Sequence, residues 1–442
     1  MQDPLGRVVQ YAYDGIGDLV SVTDPLGNPT SYSYDVNHQM LTATDPKGNV
    51  FVTNTYDAQK RVVTAQSDAL GNVSGFEYDD QNHITTITDP LGNRTVHYHD
   101  SRNRLTRIVD PLRYEMTFEY DTADNRIRVV DKRGGVTRMW YDTRGNLLQV
   151  TDALGNATVF AYDAEDNLTS KTDAMGNVTN FTYDGQGNLV KKTDALDGET
   201  AIAYNAFGQP TSVTDARGYI TAFGYDAQGN LATTTDALDN VITRAYDGAG
   251  RLTGQTDANG HTTTFAYNAN EQLVTATDPA PLAYTVTNLY DANGNRTSAT
   301  DKRGGTSAFA YDAKNRLTTL TDPLGHTLVT AYDALDRKTA VIDKRGHVTH
   351  YTYDAVGNLV AVTDALGKTA SYAYDANGNL LRKTDPTGRY VNNTYDLLNR
   401  LIKVEDALGN ANTFTYDAIG RLVSKTDAER HPPNTDTMHW TA

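Results

Sequence analysis

An all-β chain is what this sequence predicts: a long antiparallel β-meander, two short strands per repeat, coiling into a curved or spiral sheet that forms a partial shell. Three observations carry that expectation. The step Tyr-Asp recurs about every 21 residues, as at Tyr120, Tyr141, Tyr162 and Tyr183. Each repeat holds two turn phrases of one plan (Asp, two residues, Gly, a polar residue), such as Asp14-Gly15-Ile16-Gly17-Asp18 and Asp24-Pro25-Leu26-Gly27-Asn28. The segments between turns are rich in Thr, Val, Tyr and Phe and too short for stable helices.

The Tyr-Asp step starts at Tyr13, Tyr34, Tyr56 and Tyr78, degenerates to His99-Asp100, and runs on from Tyr120 to Tyr416, with Asn205 and Asn268 in place of Asp after Tyr204 and Tyr267. That makes about twenty copies, well above the ~3 that a repeat array needs. The phase slips in only two places, around Val50 to Ser67 and at Ala280 to Asn288, and neither reads as an interdomain linker. The expected organisation is one array over residues 1–427 and a non-repeat tail over 428–442.

Asp at the first turn position and Gly at the fourth mark a type I turn closed by a left-handed residue, and Pro at the second position pre-sets φ. The strands follow a period of two. Phe160 with Tyr162, Phe181 with Tyr183, Tyr351 with Tyr353 and Phe414 with Tyr416 place two aromatic tiers on one face. Leu147, Leu168, Leu189, Leu252, Leu359 and Leu422 open the return strands and interleave a leucine row. This ladder replaces a thick core, in keeping with a hydrophobic share of 38%, below the ~45–50% of ordinary globular domains. Tyrosine, at 28 residues against 10 Phe, suits such a half-wet face. About forty strands at ~4.8 Å would make a ribbon of roughly 190 Å; curled once, it rings a space on the order of 60 Å, in a band only ~20 Å tall. Sealing a container would take more repeats or end plugs.

The net charge of −16 argues against a nucleic-acid partner, and no apolar run approaches the ~18 residues of a membrane span. No signal peptide is visible at the start of the sequence. The absence of cysteine excludes disulfides and thiolate metal sites.

Several clusters invite chemistry and yield to simpler readings. Asp291 to Asn295 and Asp375 to Asn379 mimic the start of an EF-hand loop, but Pro386 stands where the loop after Asp375 needs its Glu. His97, His99 and Asp100 resemble a metal cluster, yet His99 occupies a Tyr position in a drifted repeat. Asp131-Lys132-Arg133-Gly134 recurs at Asp301 to Gly304 and Asp343 to Gly346; it reads as a tolerated turn variant, with contact to an acidic cargo as the alternative. Asn93-Arg94-Thr95 and Asn177-Val178-Thr179 arise because a turn Asn precedes a strand Thr. No catalytic residue, metal site or cofactor site is therefore expected, and the chain is expected to be no enzyme.

YDAIGRL at Tyr416 to Leu422, YDGAGRL at Tyr246 to Leu252 and TDPLGN at Thr23 to Asn28, at this period, resemble the Rhs/YD-repeat family over essentially residues 1–427. The resemblance implies a β-sheet spiral forming a hollow shell. It also implies a delivery device in which a polymorphic C-terminal toxin is held inside and released into a target cell. Related repeats occur in teneurins and insecticidal toxin complexes, and other members are bacterial cell-surface or wall-associated proteins. The expected partners are a toxin polypeptide or further repeat segments, and the expected location is secreted or cell surface. The alternative reading is a surface binding protein for glycans or proteins. The sequence begins within a repeat and shows no spike-like domain. It also lacks the DPxGL segment linked in the family to aspartyl self-cleavage, so no residue takes that role.

Overall fold

The computed structural model describes residues 1–427, so the expected tail lies outside the described residues. Forty strands, from β1 (Gln10–Tyr13) to β40 (Leu422–Thr426), form one antiparallel sheet, and no helix occurs among the described residues. Each strand pairs with its neighbours in sequence, as in β17 (Val178–Tyr183) with β18 (Leu189–Thr193).

The turn between β17 and β18 shows why the phrase repeats. Asp184 N–H donates to the Asn188 carbonyl and Gly187 N–H to the Asp184 carbonyl. The Asp184 carboxylate accepts from the N–H groups of Gln186 and Asn188, both at 2.9 Å, and from Asn188 Nδ2 at 2.9 Å. One aspartate thus satisfies most of the polar groups that the reversal would strand. The fourth residue is left-handed, with φ of 83° at Gly187. Where Gly is missing, Asn103, Asn315 and Asn399 take the same conformation, which Asn tolerates better than most residues. Nothing lies within 4 Å of a Cβ placed on Gly187. A Gly187→Ala exchange should therefore cost only the backbone term of about 1–2 kcal/mol, with Gly187→Asn costing less, as read in thermal melts.

After the Tyr-Asp strands the ladder carries a bulge, between Thr182 and Tyr183 in this hairpin. β7 (Val73–Asp79) is an exception: it pairs with β8 (Ile84–Thr88) in register as far as Asp79 with Ile84. The two phase breaks are longer turns, joined in the first by one extra residue in β5 (Val50–Tyr56), which a bulge beside Thr44 takes up. Asp57 N–H reaches Val62 instead of the fifth residue, and Asp278 N–H reaches Tyr284.

Aromatic positions are half-buried and their strand neighbours exposed, as in Phe160 and Tyr162 against Val159 and Ala161. Among the apolar side chains described, only Ala43 and Val109 are buried. The ladder replaces a core, as expected.

The ribbon does not curl once into a wide ring. Asn270 bonds Asp24, Asn377 bonds Asp131, and Arg421 meets Met175, each across 246 residues. The turn after β2 (Leu19–Thr23) thus meets the turn after β25 (Thr262–Tyr267). Likewise the turn after β12 (Arg126–Val130) meets the turn after β35 (Thr369–Tyr374), the same step of 23 strands. At ~4.8 Å per strand, one winding has a perimeter of roughly 110 Å and a width on the order of 35 Å before strand tilt widens it. The expected ring of about 60 Å is replaced by a narrower coil of about one and three-quarter windings, because sheet twist offsets successive windings until their edges meet.

Candidate functional site at the seam between windings

The coil has two edges. Turns after odd-numbered strands follow Tyr-Asp and form one edge; turns after even-numbered strands, such as Asp24 to Asn28, follow Thr-Asp and form the other. Where windings meet, the Thr-Asp edge of the first seals against the Tyr-Asp edge of the second.

Successive repeats are first locked to each other within a winding. Every Tyr from Tyr120 to Tyr416 in the Tyr-Asp step donates its hydroxyl to the carbonyl at the start of the preceding return strand. Examples are Tyr162 to Leu147 at 3.1 Å, Tyr225 to Pro210 at 2.9 Å and Tyr416 to Leu401 at 2.8 Å. Asn54, Asn288 and Asn393, in place of the first aromatic, donate to the same kind of carbonyl. Tyr225→Phe should cost about 1 kcal/mol and Tyr225→Ala about 3 kcal/mol, measurable by denaturant melts, since the ring contributes more than its hydroxyl.

Arginine at the fifth turn position adds a second lock. Arg316 holds Asp312 through Nε at 2.8 Å, donates through Nη1 to the Asp333 carbonyl at 3.0 Å, and lies 4.7 Å from the ring centre of Tyr332. Arg104, Arg251, Arg337 and Arg400 repeat the arrangement. Sequence reasoning passed over this role, although Arg stands at one position in YDGAGRL and YDAIGRL.

The seam reuses the turn aspartates. Their Oδ2 atoms accept from the third residue of a turn one winding on: Asp24 from Asn270 at 2.6 Å, Asp131 from Asn377 at 2.9 Å, and Asp68 from Lys314 at 2.6 Å. In the opposite sense Lys47 donates to Asp291 at 3.0 Å. Arg133 reaches furthest: Nη1 and Nη2 donate to the carbonyls of Asp396 and Tyr395, and Nε lies 3.2 Å from Asp375. Burial pushes the Asp68 carboxyl up, but the Lys314 ammonium and the Asn72 groups outweigh it and hold the pKa at about 2. Asp24 and Asp45 behave alike: burial raises them, while amide donors, including Asn270 and Asn293 across the seam, bring them below the usual carboxylate value.

The Lys-Arg triplets are therefore neither idle variants nor shown to meet a cargo. Lys132, Lys302 and Lys344 each bridge to the preceding turn on the same edge, at Asp110, Asp278 and Asp322. Of the three neighbouring arginines, Arg133 enters the seam.

The aspartates of the calcium-like turns are already engaged: Asp291 by Asn293 and Asn295 of its own turn and by Lys47 across the seam, Asp375 by Asn377 and Asn379 of its own turn. His97 and His99 sit on β9 (Arg94–His99) with ring centres 6.4 Å apart, and His99 Nδ1 lies 3.4 Å from the His83 carbonyl. Burial, then the neighbouring His99, lowers the His97 pKa. Among the described residues no three His, Asp or Glu side chains gather as a metal would require. No helix there is long and apolar enough to cross a membrane.

What this geometry defines is a structural class: a coiled β-wall made of repeats and sealed along one seam. The chain belongs to the RHS-repeat family, whose model matches residues 2–27, 13–50, 56–94, 99–136, 290–327, 332–369, 353–390 and 395–431. The teneurin YD-shell model matches residues 131–272. A comparison with curated proteins finds no match. Among solved structures, the chain is similar to TcdB2-TccC3-Cdc42, with a TM-score of 0.64 at 14% identity over 94% of this chain and 26% of that one. It is similar also to the Photorhabdus luminescens Tc holotoxin pore, with a TM-score of 0.60 at 15% identity over 94% and 25%. The chain thus spans about a quarter of the length of these structures, and at such identities the likeness is one of fold. Repeat, coil and fold together make it a segment of Rhs-type shell wall with a structural role.

Proposed function

We propose that this wall encloses or presents a toxic polypeptide for delivery to a target cell. The observation that carries the reading is the sealed seam: edge-to-edge bonding from Asp24 to Arg133 turns a ribbon into a continuous surface able to hold a guest apart from solvent. The likeness in fold to TcdB2-TccC3 assemblies supports it. In this reading residues 1–427 are wall, residues 428–442 lie beyond it, no residue is catalytic, and the protein acts outside the cell that makes it or on its surface. The alternative, a glycan-binding surface protein, has less support, because the tyrosine hydroxyls that would face a sugar are already bonded to backbone carbonyls.

Sequencing the DNA beside the coding region tests the proposal, with a small toxin reading frame as the expected result. Co-expressed with this chain, that toxin should survive protease treatment that destroys it alone. A neighbourhood without such a frame, or a toxin digested equally fast in both samples, would refute enclosure.

A further inference from the structure

A single coil leaves each edge open where no winding covers it. The Thr-Asp edge is open from the turn at Asp194 to the turn at Asp406; the Tyr-Asp edge is open from the turn at Asp14 to the turn at Asp226. Four features of these open stretches match the sealed seam.

The first is leucine at the third position of the Thr-Asp turns. In the covered stretch Leu26, Leu70, Leu91 and Leu112 are 40–49% exposed. On the open stretch Leu196, Leu238, Leu324, Leu366 and Leu408 are 79–91% exposed. A second winding therefore covers roughly half of each such side chain, and the open edge presents leucines that alternate with polar turn residues such as Arg303 and Arg345 and that have no such cover among the described residues. The second feature is the same contrast on the opposite edge. Ile16 and Phe207 on the open Tyr-Asp edge are 66% and 88% exposed, whereas Val356 and Ile419 in the seam are 38% and 37%.

The third is the Lys-Arg triplet. Arg303 and Arg345 stand on the open edge at the turn position through which Arg133 enters the seam. The lysine beside each makes the same bridge as Lys132, so the arginine is presented in the same way. Both arginines are exposed, and neither side chain has a partner among the described residues. The fourth is the donor that meets the turn carboxylate. Asn270, Asn293, Lys314 and Asn377 do this in the seam. Asn37, Gln59, Gln186 and Gln228 hold the equivalent third position on the open Tyr-Asp edge.

We infer that the open Thr-Asp edge is a docking surface for the open Tyr-Asp edge of a second copy of this chain, stacked head to tail along the coil axis. The contact is heterologous, so it repeats and builds an open-ended stack, extending the wall that one chain begins. Its chemistry is that of the internal seam: arginine onto turn carbonyls and aspartate, amide donors onto carboxylates, and leucine covered by apolar turn residues. It does not depend on any cargo.

Sedimentation velocity on the 442-residue chain, from micromolar to sub-millimolar concentration, tests the inference. The expected result is a concentration-dependent series of species extending beyond dimer. The Arg303→Glu/Arg345→Glu variant should self-associate at least about tenfold more weakly, since each reversal replaces an attraction with a repulsion. Its far-UV spectrum and melting temperature should be unchanged. Leu324→Asp/Leu366→Asp should weaken association in the same direction without touching either arginine. A protein that stays monomeric throughout, or association that neither variant weakens, would overturn the proposal.

Discussion

Acidification through pH 4 towards pH 2 should unravel the ribbon cooperatively, after only the small loss that the lowered pKa of His97 brings between pH 7 and pH 5. The cause is the turn aspartate. In Asp184, Asp226 and Asp236 the side-chain amide of the fifth turn residue, with backbone N–H groups, holds the carboxyl below its ordinary value. Asp100 is held at about 2, chiefly by the Arg104 guanidinium, and Asp68 at about 2 where Lys314 outweighs burial. Each of these folded-state values lies below the ~3.9 of an unfolded aspartate. The unfolded chain therefore takes up protons first as pH falls. The stabilisation is complete above that value and is lost as pH drops through the lowered folded-state values, about 2 for Asp68 and Asp100. Because the same turn recurs along the whole array, many small losses share one window. Protonation also leaves 39 Lys and Arg and 10 His charged with few carboxylates to offset them. Far-UV circular dichroism against pH reads the transition, and a sheet spectrum unchanged at pH 2 would contradict this account of the turns.

The parts legible in the sequence were those fixed within one repeat. Asp184 and Gly187 declare their turn because few other residues make five local bonds, four accepted and one donated, or take a left-handed φ. Phe160 and Tyr162 declare their face because period two is a property of any strand. The coil is different. Its 23-strand step sums small twists over half the chain, and no local motif encodes that sum. The estimate of a wide ring failed there, and with it went the seam. The Lys-Arg triplets were visible as a recurrence, but Arg133 acquires its meaning across the seam only from residues more than 240 positions away. The fifth-position arginines were more accessible. Arg316 binds within its own turn and to the next repeat, and its conjunction with Tyr332 one repeat later was a signal that could have been read.

The seam can be opened by one substitution and left closed by its twin. Arg133 is 22% exposed and faces Asp375, itself 12% exposed, together with the carbonyls of Tyr395 and Asp396. Arg133→Glu sets a carboxylate against a carboxylate and two carbonyl dipoles while removing their donors. Breaking a partly buried ion pair in this way should cost about 2–4 kcal/mol. The loss falls on the contact between windings and not on the strand ladder, which remains bonded to its sequence neighbours. Hydrogen exchange should therefore quicken around residues 395–399 and at the turn of residues 131–135, with the sheet spectrum retained and melting shifted down. Arg345→Glu makes the identical change in the same triplet on the open edge, and for the monomer it should be neutral within about 0.5 kcal/mol. Equal destabilisation by the two variants would mean that the triplet acts within its own turn, and the seam would lose its principal anchor.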